Sequence, residues 1–225
     1  MFLSRALQKL AGANGLQHLD YCSYFVKVHP DQGSRLFDEA TLARAFHPTG
    51  CHYGTLRRAY PIPSHELYRS VLLLRDPRDC LVSHYYSVRD SHTLNNRGNL
   101  EARREALRTD IDQWVLGKAS EYAQDFEQFH TRLVGKPGVL FLRYEEMVTA
   151  FPDFLRKIVA HTGLDQDQEA IARILEEADF EVSGENLLAH KRSVKPGNHL
   201  KKLKPETVDR LNGALAEVLE LFAYR

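Results

Sequence analysis

The sequence predicts an α/β domain: a doubly wound, mostly parallel sheet flanked by helices. Three observations carry this. Two short, unbroken apolar runs occur, Val71–Leu74 and Val139–Leu142; each is followed at once by a helix start; and amphipathic helical stretches fill most of the remaining chain. Four consecutive apolar residues suit a strand covered on both faces, and strands alternating with helices present ligands at their carboxyl ends.

At 225 residues the chain is read as one domain, 1–225, able to bury a substantial core. Its 30 Lys and Arg balance 30 Asp and Glu, which removes the global basic field of a nucleic-acid binder. The three cysteines, Cys22, Cys51 and Cys80, form no CxxC pair and read as free thiols of a reducing compartment. No segment resembles a signal peptide or reaches the ~20 apolar residues of a membrane span, so a cytoplasmic protein is expected. Eleven histidines occur without an HExxH or a His/Cys cluster, and no metal is expected.

Taken in order, Leu3, Leu7, Leu10 and Ala11 recur at helical spacing until Gly12–Gly15 end the helix. Gln17 to Val28 is a candidate strand region, Pro30–Gly33 a turn, Leu36 to Phe46 a helix, and Cys51–Gly54 a short strand end or a loop. The Pro61–Ser64 connection leads through a short helical piece to the Val71 strand. A long helical region from Leu100 to Leu133 is expected to break at Gly117. A helix from Glu145 to His161 follows the Val139 strand, and another covers Gln166 to Ala178. Glu181 to Lys204, with six cations and no periodic apolar partner, reads as a mobile basic loop, and Pro205 starts a last amphipathic helix.

The strand-to-helix junction at Arg75 carries most of the chemistry. Asp76 is a good N-cap, Pro77 suits the first helical position, and Asp79 places negative charge at the positive end of the helix dipole. Ser83 falls on the polar face of this helix. A guanidinium and a hydroxyl beside a helix N-terminus, at the end of a buried strand, can form an anion site. The competing reading pairs Arg75 with Asp76 or Asp79 and leaves Ser83 solvated.

Arg75-Asp76-Pro77-Arg78-Asp79, with Ser83 eight positions after Arg75, resembles the 3′-phosphate motif of the sulfotransferases that use 3′-phosphoadenosine 5′-phosphosulfate (PAPS). Leu142-Arg143-Tyr144-Glu145-Glu146-Met147 is similar to that family's second strand-to-helix junction, and Lys191 to His199 to its Arg-Lys-Gly-x-x-Gly-x-Trp loop. Ser193, Val194 and His199 depart from the usual Lys, Gly and Trp, whereas Arg192 and Gly197 match. The resemblance implies the P-loop-like sulfotransferase fold, with PAPS as sulfuryl donor. It implies that Arg75, Ser83 and Arg192 bind the 3′-phosphate, that Gly197 belongs to the same loop, and that Tyr144 and Phe180 lie against the adenine.

The family's catalytic His lies a little over twenty residues before the phosphate-binding Arg. His52 stands 23 residues before Arg75 and is the candidate base; His47 is its rival, and a structural histidine the alternative. His84 adjoins Ser83 but points to a neighbouring helix face, and is read as packing or as a support behind the site residues. The acceptor is expected to be a hydroxyl on a small molecule, carbohydrate or lipid. The family's first motif, a strand and a Lys/Arg-Ser-Gly-Thr loop for the 5′-phosphosulfate, is not seen, and Met1–Ala11 look like the helix that follows it. A truncated start is therefore expected. The alternative is a catalytically inactive module that binds a 3′-phosphoadenosine nucleotide or a partner. A kinase-like phosphate-loop enzyme is disfavoured, since no GxxxxGK[ST] is present.

Overall fold

Among the described residues, two short sheets, each of two strands, carry the strand ends that the sequence singles out. The structure, a computed structural model, describes residues 2–21, 39–91, 97–165, 167–178 and 195–224. It divides into two compact units, Met1–Leu73 with Arg132–Asp179 and Leu74–Thr131 with Phe180–Arg225.

In the first unit, α1 (Phe2–Ala13) buries Ala6, Leu10 and Ala11. It is followed by β1 (Gln17–Leu19), α2 (Glu39–Ala45) and β2 (Cys51–Tyr53). Strands β1 and β2 pair in parallel, with His18 opposite His52 and Leu19 opposite Tyr53. Of the expected Gln17–Val28 strand region only Gln17–Leu19 is strand; residues 22–38 lie outside the described residues. Leu42 and Phe46 form a small core against Tyr21, Tyr53 and Tyr68. A 3-10 turn at His65–Leu67 leads into β3 (Ser70–Leu74), which is hydrogen-bonded to β4 (Val139–Arg143).

The start of this second pair is tightly built. The Ser70 N–H donates to the Gly138 carbonyl at 2.7 Å, and His161 Nε2 lies 3.1 Å from the carbonyl oxygens of both Ser70 and Gly138. Gly138 has φ 76°, and a Cβ there would collide with the Tyr68 carbonyl. After β4 come α6 (Tyr144–Thr149), α7 (Phe151–Thr162) and α8 (Gln168–Glu176). The single helix expected over Glu145–His161 is thus two. Pro152 can give no N–H to the preceding turn and its ring crowds the carbonyl four residues back, so α6 ends and α7 restarts. Phe154, Leu155 and Ile158 of α7 are fully buried.

The second unit contains α3 (Pro77–Tyr86), a π-helical turn (Ser87–Ser91), α4 (Arg97–Arg108) and most of α5 (Ile111–Leu133). Near the C-terminus it adds α9 (Asn198–Lys202), α10 (Pro205–Ala214) and α11 (Ala216–Leu221). Its core joins Leu81, Val82 and Tyr85 of α3 to Trp114, Val115 and Ala119 of α5 and to Leu211, Leu215 and Leu219. Burial of each Val or Leu among these is worth about 1.5–3 kcal/mol.

Two expectations need correction here. The helix break falls before Asp110, whose side chain accepts the N–H groups of Asp112 and Gln113 at 2.9 and 3.1 Å; α5 runs straight through Gly117. A mid-helix glycine costs only about 1 kcal/mol, less than the burial of Trp114, Val115 and Phe126 on the same helix returns. The tail of the expected mobile basic loop is ordered: Asn198–Lys202 is helical and His199 is 4% exposed.

Candidate active site

The second unit holds the phosphate-motif residues. The aliphatic run stops at Leu74, and Asp76 caps α3, accepting the Arg78 N–H at 2.9 Å. Asp76 also receives Arg78 Nε and Nη2 at 3.0 and 2.7 Å, while Arg78 Nη1 donates to Asn212 Oδ1 at 2.6 Å. Asp76 and Arg78 are therefore consumed in fixing the helix start to α10.

Asp79 does more than complement the helix dipole. Its side chain is fully buried, and four donors converge on it. Oδ2 accepts from Arg75 Nη2 at 3.1 Å and from the Gly197 N–H at 2.8 Å. Oδ1 accepts from the His199 N–H at 2.9 Å and from His199 Nδ1 at 2.7 Å. Burial pushes this carboxyl up. The His199 imidazole bond, the Arg75 charge and the two backbone amides outweigh burial and hold it down at about 2. A carboxylate ion only accepts, so His199 carries its proton on Nδ1.

This carboxylate ties the strand-end arginine to the loop that carries Gly197. Arg75 Nη2 also donates to the Lys195 carbonyl at 3.3 Å. Gly197 caps α9 with φ 82°, a left-handed conformation that suits glycine. Ser83 is exposed and lies one helical turn beyond Asp79 on the same face of α3. The pairing reading of Arg75 is thus what the geometry shows, with Asp79 as partner, and it coexists with a cation and a hydroxyl on one helix face.

In the first unit His52 sits in the middle of β2, half-buried, with its Nδ1 3.0 Å from Nδ1 of His18. The ring planes are tilted 29° from each other, with centroids at 5.0 Å. Burial, then the neighbouring His18, push the His52 imidazole down to about 4, so it is neutral near pH 7. His47 is exposed in the turn before β2, and its backbone N–H and carbonyl both meet the Tyr53 hydroxyl. Tyr144 opens α6, beside Glu146, which accepts the Arg143 N–H at 3.3 Å and pairs with Lys157 at 2.6 Å. His84 packs as expected, 3.0 Å from the Tyr122 hydroxyl and edge-on to Trp114. Phe180 and Arg192 lie outside the described residues.

Arg75 and Gly197 are therefore brought together through Asp79, and His52 is joined to His18. Sequence reasoning had Asp79 as a dipole residue or an alternative partner for Arg75, noted His199 only as a departure from Trp, and missed His18. The four-residue interval between Arg75 and Asp79 was a usable signal for the first. A central His in each of two short strands was a faint one for the last.

The sulfotransferase domain matches residues 63–206, and the chain belongs to that family. Sulfotransferase 1C2 of Homo sapiens is 27% identical over 121 residues, 53% of this chain and 38% of that protein. Sulfotransferase 1C2 of Rattus norvegicus is 26% identical over 120 residues, with the same coverage. The matched segment thus spans 38% of the length of these curated relatives. Among solved structures, mouse sulfotransferase SULT7A1 complexed with PAP superposes with a TM-score of 0.67 at 16% identity, over 100% of this chain and 84% of that one. Retinol dehydratase in complex with androsterone and inactive cofactor PAP gives 0.51 at 21% identity, over 80% and 57%. At these identities the superpositions establish the α/β sulfotransferase fold. No helix among the described residues is long and apolar enough to cross a membrane.

Proposed function

We propose that this protein transfers a sulfuryl group from PAPS to a hydroxyl acceptor. The observation that carries the reading is the Asp79 clamp, which fixes Arg75 against the Gly197 loop on the face of α3 that also presents Ser83. A fixed guanidinium and an exposed hydroxyl on one side of a helix start are donors that suit a phosphate monoester. Arg75 and Ser83 would hold the 3′-phosphate, joined by Arg192, and Tyr144 and Phe180 would lie against the adenine. PAPS supplies the sulfuryl group, and its departing phosphate charge calls for cationic donors.

His52 is the proposed base. A neutral imidazole can take the acceptor's hydroxyl proton at Nε2 as the oxygen attacks sulfur in line. Its low basicity favours release of that proton afterwards. The two superposed relatives contain PAP, and the family assignment supports sulfuryl transfer.

The test is calorimetric titration of the full protein with PAP. Arg75→Ala is expected to weaken binding by roughly 100-fold, the loss of about two charge-assisted hydrogen bonds. Unchanged affinity would remove Arg75 from the site. His52→Ala is expected to lower transfer from radiolabelled PAPS to p-nitrophenol by about 10²–10⁴-fold while sparing PAP binding. Retained turnover would move the base elsewhere.

A further inference from the structure

The base proposed above has a partner that the family motifs do not include. Parallel pairing of β1 and β2 sets His18 directly opposite His52, and the two Nδ1 atoms lie 3.0 Å apart. The ring centroids are 5.0 Å apart, well beyond the 3.0 Å between the nitrogens, so the two Nδ1 atoms lie on the facing sides of the rings, as an N–H···N bond between them requires. Two neutral imidazoles in this contact share one proton between the Nδ1 atoms, which permits two arrangements. If His18 donates, His52 carries its own proton on Nε2 and has no lone pair there. If His52 donates, its Nε2 lone pair is available, and His18 carries its proton on Nε2.

Only the second arrangement is compatible with base catalysis at Nε2. When His52 takes the acceptor proton it becomes an imidazolium with both nitrogens protonated, and its Nδ1–H keeps a lone pair to point at. We propose that His18 is a positioning residue: its Nδ1 accepts from His52 Nδ1–H, fixes the ring and tautomer of His52, and steadies the imidazolium formed during sulfuryl transfer. The logic is that of a base oriented by a third group, here a neutral imidazole in place of a carboxylate. Both histidines sit at the centre of short strands, where backbone pairing fixes their spacing before any substrate arrives. The inference rests on the reading of His52 as base, and its test separates the two.

In the full protein, ¹⁵N-edited NMR of histidine at neutral pH is expected to show His52 as the Nδ1–H tautomer, converted to Nε2–H in His18→Leu. In the same variant kcat for transfer from PAPS to p-nitrophenol is expected to fall about tenfold or more, with KM and PAP affinity unchanged, because only the base is disturbed. His18→Asn places an amide oxygen near the lost Nδ1. It is expected to keep the Nδ1–H tautomer and restore kcat to within roughly threefold of the parent, a rescue that a packing role would not give. A wild-type His52 found as Nε2–H overturns the proposal, as does a His18→Leu variant with unaltered kcat. If His52→Ala loses turnover while His18→Leu does not, the positioning role alone falls. If His52→Ala keeps full turnover, the base assignment falls and the role of His18 with it.

Discussion

Asp79 and His52 are both ionisable groups taken out of water, and the molecule settles them in opposite ways. Asp79 is the more deeply buried, yet it stays an anion because four donors surround it. His52 is less buried, yet burial drives it neutral, because its neighbour is another imidazole that offers no opposing charge and itself pushes the same way. Burial alone does not decide charge; the sign and number of the donors that come with it do. One region is built to hold a fixed charge, and the other to keep a proton-accepting lone pair.

The sharpest way to break this contrast is Asp79→Ala, which removes the carboxylate that Arg75 and His199 share. A loss of about 3–5 kcal/mol in urea denaturation is expected, with weaker PAP binding. A loss below about 1 kcal/mol would reduce the clamp to an ordinary surface pair.

Next in size is Gly138→Ala, which tests the strand pairing of the first unit away from both Asp79 and His52. Its Cβ meets the Tyr68 carbonyl at a positive φ, and a loss of about 2 kcal/mol or more in thermal or urea unfolding is expected.

The smallest effect is the most diagnostic, because the two groups should act in separate pH windows. Folded His52 titrates near 4 against 6.5 when unfolded. The unfolded chain therefore binds the extra proton, and stability rises with pH from about 4 to 6.5 and is complete above. For a ring that is only half-buried, about 1 kcal/mol is a fair expectation. Folded Asp79 titrates near 2 against 3.8. Its contribution is present above 3.8 and is lost as pH falls towards 2. Melting temperatures measured across both windows should lose the upper slope in His52→Phe and the lower one in Asp79→Asn. A single slope abolished by either variant would show that the two regions titrate as one.

Local pattern revealed what local chemistry controls. The junction at Arg75-Asp76-Pro77 was legible because an aliphatic run, a cap and a helix-starting proline are contiguous and each has its own physical cause. The second strand ending at Arg143 was legible for the same reason. The split of the helix before Phe151 could have been read from Pro152. The continuity of α5 through Gly117 could not, since it depends on how much Trp114 and Phe126 bury. Asp79's partners at Gly197 and His199, and the register that sets His18 against His52, depend on pairings between distant segments that no local window contains. Helix α9 is short and lysine-rich, and its order comes from a buried His199 rather than from any apolar period.

The Asp79 clamp also bears on how the chain reaches this state. Its partners lie 118 and 120 residues further along, so most of the polypeptide must be synthesised before the carboxylate can be enclosed. Until then α3 carries a charge that water must solvate, and its apolar face cannot settle fully into the core. Closure of the C-terminal segment over α3 is therefore a late step in folding, and a ribosome-stalled chain ending before Gly197 should leave this helix open to protease.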